Sequence, residues 1–96
     1  MDLLRWLEKW YKEQCDEVWE HFYGVSITSI DNPGWSVKID LTDTSLSHKS
    51  FNKVIVRNSD EDWVTCFIEN GVFQGAGDPN KLNVILRYFK NFVLSK

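Results

Sequence analysis

Cys15, His21, His48 and Cys66 are the only thiols and imidazoles in this sequence. A zinc site takes such ligands in closely spaced pairs. No two of the four stand that close, so the expectation is no metal and no cofactor. A cysteine nucleophile needs a lowered thiol pKa, from a helix N-terminus or a cationic neighbour. Cys15 falls late in a helical pattern, where the dipole disfavours a thiolate, and Cys66 shares a strand face with Val64 and Ile68. Both read better as small core residues. Glu20 beside His21 is a further candidate, since a carboxylate and an imidazole can do acid–base work. Against that stands a plainer role, in which one of the two hydrogen-bonds loop backbone and fixes the turn after the first helix. The sequence holds no glycine-rich phosphate loop, no nucleophile elbow and no regularly spaced acidic cluster. Asp60, Glu61 and Asp62 form its densest charge run. Such a run reads as a solvated turn, or, with Asp16, Glu17 and Glu20, as part of an acidic binding surface.

The elements that must position these residues follow from periodicity. Leu3, Leu7, Trp10, Gln14 and Val18 recur at helical spacing, widened by Leu4, Tyr11 and Cys15, and predict a helix from residue 2 to about 19 with Asp2 as its cap. Val25 to Asp31 alternates as a strand. Asn32, Pro33 and Gly34 suit a type II turn, and Trp35 to Leu41 returns with Trp35, Val37, Ile39 and Leu41 on one face. Residues Thr42 to Ser50 read as a polar loop. Strands follow at Lys53 to Arg57, Asp62 to Glu69 and Val72 to Ala76, the last two joined by Asn70–Gly71, the strongest short hairpin signal. The strand from Asp62 is apolar on both faces and reads as central. Asp78 with Pro79 suggests a cap and first position for a helix carrying Leu82, Ile85, Leu86, Phe89, Phe92 and Val93. The fold class is therefore α+β: an antiparallel meander of about five strands with an N-terminal and a C-terminal helix on one face.

At 96 residues the sequence is expected to make a single domain, residues 1–96. Five Trp and six Phe supply a core without disulfides. The net charge of −3 and the scatter of the eleven Lys and Arg argue against nucleic acid; an acidic domain is steered instead toward a basic protein. No stretch approaches a membrane span. Asp2, Arg5, Glu8 and Lys9 interrupt any secretion signal before Tyr11, so a cytoplasmic protein with reduced thiols is expected.

The segments WYKEQCDEVWEHFYGVSI (10–27), DNPGWSVKIDL (31–41), DEDWVTCFIENGVFQGAGDP (60–79) and LNVILRYF (82–89) together resemble the immunity protein 53 family of bacterial polymorphic toxin systems. The run Trp19–Glu20–His21 with Tyr23 and Gly24, and the turn Asp31 to Trp35, carry the resemblance most specifically. Asp16–Val18 departs from the pattern, which bears on where the first helix ends. The resemblance implies a non-enzymatic protein that binds and neutralises a cognate toxin domain. It carries over no contact residues. On physical grounds the candidate contacts are Trp19, Glu20, His21, Asp31, Trp35, Asp60, Glu61 and Asp62: aromatic side chains beside turns as anchors, carboxylates as complement to a basic toxin such as a nuclease. Trp35 shares its phase with Val37 and Ile39, which favours the core for it. The competing reading is a small acid–base or sulfur-transfer enzyme using Glu20 and His21 or Cys66. Monomer and homodimer are both compatible with the sequence.

Overall fold

Asp2 caps the first helix as its type suggests. Its Oδ1 accepts the Arg5 amide hydrogen at 2.8 Å, satisfying a donor that a helix start otherwise leaves without a partner. In the computed structural model, which describes residues 2–96, this helix, α1, covers Leu3–Gln14. It does not run on to residue 19, because the next polar side chains take the main-chain amides for themselves. Asp16 Oδ1 accepts from Val18 N at 3.0 Å and Trp19 N at 2.8 Å. The Glu20 carboxylate reaches back to Asp16 N and Glu17 N, each at 3.0 Å, as in a capping box. Glu17 is left-handed, with φ 76°. The chain thus turns before a second, one-turn helix, α2 (Trp19–Phe22). The redirection puts Trp19 in the core and leaves Val18 60% exposed.

Five strands follow: β1 (Val25–Ile30), β2 (Gly34–Asp40), β3 (Val54–Ser59), β4 (Asp62–Glu69) and β5 (Val72–Gly77). All pairings are antiparallel, in the order β1-β2-β5-β4-β3. A simple meander would set β3 beside β2. Instead the connection after Leu41 carries the chain to the far edge, and β4 and β5 return inward, so β4 has a neighbour on each side. That connection is not merely polar. Leu46 is buried, and Phe51 packs edge-on against Phe73 and a helical Phe92, both at 5.5 Å between ring centroids. The connection therefore closes one end of the core.

Two turns show how local chemistry fares. Asn70 and Gly71 have φ of 54° and 76°, the paired positive values a type I′ hairpin requires. The type II expectation at Asn32–Gly34 fails. Gly34 has no positive φ and already pairs with Ile30 as the first residue of β2. The Asn32–Pro33 peptide is cis. Gly34 is needed for another reason: a β-carbon there would run into the carbonyl oxygen of Gly77 on the neighbouring strand.

Strand alternation with these registers puts Val37, Ile39, Val64, Cys66 and Phe73 on one face, all buried. Both long helices lie on that face. The C-terminal helix, α3 (Leu82–Leu94), lays Ile85 over Gly75, where an added β-carbon would collide with the Ile85 side chain. Phe89 then meets Phe73 at 5.1 Å and, from α1, Trp10 at 5.0 Å and Trp6 at 5.9 Å. Among the described residues, the opposite face of the sheet carries no helix. None of the helices is long and apolar enough to cross a membrane, among the described residues.

Gly75→Ala should lower the stability of the folded chain by ~1–3 kcal/mol, the usual cost of overpacking. Urea unfolding should show it as a lower midpoint at unchanged m-value.

Candidate functional site

The antiparallel order decides which connections are neighbours. The turn between β1 and β2, the turn between β3 and β4, and the exit from β5 toward α3 all leave the sheet at the same end. Asp31, Trp35, Asp60, Glu61 and Asp62, scattered in sequence, are therefore gathered there.

Asp78 organises this end. It is a sequence-predicted helix cap, but α3 begins only at Leu82, with Lys81 in the cap position. Asp78 is buried, with 1% of its surface exposed. Its carboxylate accepts from Trp63 N at 2.9 Å, Asn80 N at 2.8 Å and Lys81 Nζ at 2.7 Å, while its own amide donates to Trp63 O at 3.1 Å. The start of β4 is thus tied to the end of β5. Lys81 Nζ also donates to Asp62 Oδ1 at 2.7 Å, and Asp62 Oδ2 accepts from Asn58 at 3.1 Å. The Lys81 hydrogen bond, helped by the Trp63 and Asn80 amides, holds the Asp78 carboxyl at about 2 despite burial, which acts the other way. Asp62 is lowered, chiefly by its hydrogen bond from Lys81, and Lys81 is raised by hydrogen bonds to Asp62 and Asp78.

Around this clamp lies the exposed part. A hollow of about 480 Å³ is lined by Asn32, Arg57, Asp60 and Trp63. Arg57 Nη2 donates to Asp60 Oδ1 at 2.6 Å, both side chains largely in solvent. Asp31 and Glu61 are exposed. Trp35 is half-buried on the helix-covered side, its indole donating to Pro79 O at 3.0 Å. Trp63 and Phe67 point to the uncovered face, where Ile55 is 64% exposed and Lys53 Nζ lies 5.5 Å from the Phe67 ring centre.

Trp19, Glu20 and His21 are at the other end of the sheet. Strands of six to eight residues, at ~3.3 Å each, separate the two groups by roughly 20 Å. Trp19 is 3% exposed; its indole donates to Thr42 O at 3.0 Å and its ring stands edge-on to Trp10 at 6.2 Å. It is a core residue, not a surface anchor. His21 is exposed. The Glu20 carboxylate is directed at the amides of Asp16 and Glu17, which is the plainer of its two sequence readings. Cys66 is fully buried, and burial pushes its thiol up to about 12, far from a reactive thiolate. Among the described residues, no three His, Cys, Asp or Glu side chains converge as metal ligands.

Sequence reasoning missed the Asp78–Lys81–Asp62 clamp. Asp78 followed by Pro79 reads as a helix start, a local pattern that leaves Lys81 and Asp62 out. The central place read for β4 from its two partly apolar faces holds, since β5 and β3 flank it.

A family model described as Immunity protein 53 matches residues 4–94. No curated protein and no solved structure matches the chain.

The acid response tests the clamp. The folded pKa of Asp78 lies below the ordinary value of 3.8, so its stabilising contribution is present above that value and lost as pH falls through about 2. Asp78→Asn should be less stable than wild type at neutral pH. Urea midpoints measured as the pH is lowered should fall less steeply for the variant than for wild type.

Proposed function

The chain belongs to the immunity protein 53 family, and on that premise we propose that it binds a cognate toxin domain in the bacterial cytoplasm and neutralises it by protein–protein contact, without catalysis. The family match across residues 4–94 carries this reading. The geometry supports a particular side for the contact. Asp60 lines an open hollow with Asn32, Arg57 and Trp63, the exposed Asp31 and Glu61 are its chain neighbours at the same end of the sheet, and among the described residues the adjoining sheet face is free of helices. Carboxylates at a rim steer a basic partner into register, and an aromatic beside them can be desolvated on docking. A basic toxin such as a nuclease fits that chemistry. Asp62 belongs to this end but is held by Lys81, and Asp60 is paired with Arg57 in solvent, so Asp31 and Glu61 offer the least engaged charges.

Co-expression with the toxin domain encoded beside this gene should keep cells growing, whereas the toxin alone should kill them. Equal killing with and without the protein would reject the proposal for that pair. The triple charge reversal Asp31→Lys, Asp60→Lys, Glu61→Lys should slow association by about ten-fold or more at low salt, and by less at high salt. Stopped-flow mixing at two ionic strengths reads both effects.

A further inference from the structure

The two edges of the sheet are not alike. β3, at one edge, carries Arg57, and its register with β4 shifts between Arg57 and Ser59. A charge and a bulge are common devices for keeping foreign strands off an edge. β1, at the other edge, has the sequence VSITSI and pairs with β2 in unbroken register from Val25 to Ile30. It has no charge, proline or bulge. Asp40 N donates to Gly24 O at 3.0 Å. By the alternation of antiparallel ladders, the main-chain groups of Val25, Ile27 and Ser29 then point away from β2, into the open.

Beneath that edge lies a hollow of about 680 Å³. It runs between α1 and β1 and is lined by Leu4, Leu7, Tyr11, Tyr23 and Ile27, with Glu8 at helical spacing among them. Leu4 is 57% and Tyr11 37% exposed. An unprotected edge offering free donors and acceptors, with an apolar trough under it, is the arrangement that strand addition uses: main-chain bonds hold an extended peptide, and pockets take its alternate side chains.

We propose that this edge takes an extended segment of the toxin partner as a sixth strand beside β1. The inference rests on the immunity reading above and assigns that partner a second contact, away from the acidic end. The segment has apolar residues at alternate positions, which enter the trough, and a Lys or Arg that meets Glu8. A second copy of this chain suits the edge less well. Pairing across a two-fold axis sets a surface against itself, and here that surface carries Glu8 on a chain of net charge −3.

The test uses the full chain with the toxin domain encoded beside its gene, and reads amide hydrogen exchange with and without that domain. Val25, Ile27 and Ser29 should exchange at least about ten-fold more slowly in the complex, since each amide gains a partner. Ser29→Pro removes an outward amide without touching the β1–β2 ladder and should weaken binding about ten-fold or more. Leu4→Ser and Glu8→Lys, both on the exposed surface of α1, should weaken it as well while leaving thermal melting near that of wild type. Binding with these three amides unprotected, or unaffected by the variants, would overturn the proposal and leave the immunity reading standing. Protection of the same amides without toxin, at a dimer's mass, would assign the edge to a second copy and also overturn it. A toxin domain that does not bind at all would remove both readings.

Discussion

The fold rests on the close approach of α3 to β5. Along the inner face of that strand, Phe73 is followed by Gly75 and Gly77, large and then small. The gap above Gly75 admits Ile85, which no residue with a β-carbon would allow without movement. That seating brings Phe89 down onto Phe73, and Phe89 in turn is the surface on which Trp6 and Trp10 of α1 land. The two helices reach the sheet partly through each other. Aromatic pairs of this edge-to-face kind add ~0.5–1.5 kcal/mol each beyond the area they bury, so a defect at Gly75 is transmitted to both helices.

A second constraint acts where β5 leaves the sheet. A buried carboxylate is costly unless it is paired and hydrogen-bonded, and Asp78 has an ammonium group and two amides. Those partners come from β4 and from the turn into α3, so satisfying the charge also fixes how three elements meet. Asp62, on the rim, is drawn in through the shared Lys81. The polar end of the molecule is therefore rigid at its base and open at its tip, where Asp60, Glu61 and Asp31 face solvent. Rigid support beneath exposed charge suits a surface that must present one pattern to a partner.

Two helices on one side of a five-stranded sheet leave the other side and both edges uncovered. The buried Asp78 is engaged in structure, and the accessible features are a mixed face with Trp63, Phe67 and Ile55, an end with exposed carboxylates and a trough beneath an edge strand. These are the surfaces that a member of the immunity protein 53 family presents here.

Much was legible in the sequence. Alternation and helical spacing are set by neighbouring residues, and a hairpin such as Asn70–Gly71 by two adjacent φ values, so β4, the Asn70–Gly71 turn, the Asp2 cap and the α+β class could be read directly. Spacing of the segments along the whole chain was enough for the family. The tertiary structure decided what depends on distant partners. The first helix ends at Gln14 because Asp16 and Glu20 find main-chain amides only once the chain has turned. Trp19, placed beside a turn, is drawn inward because its ring has Trp10 to meet and its indole has Thr42. β3 lies at the far edge because the connection through Leu46 and Phe51 has core to cover on the way. The acidic residues meet at one end, and Glu20 and His21 at the other, because strand order is a long-range property that no local pattern contains.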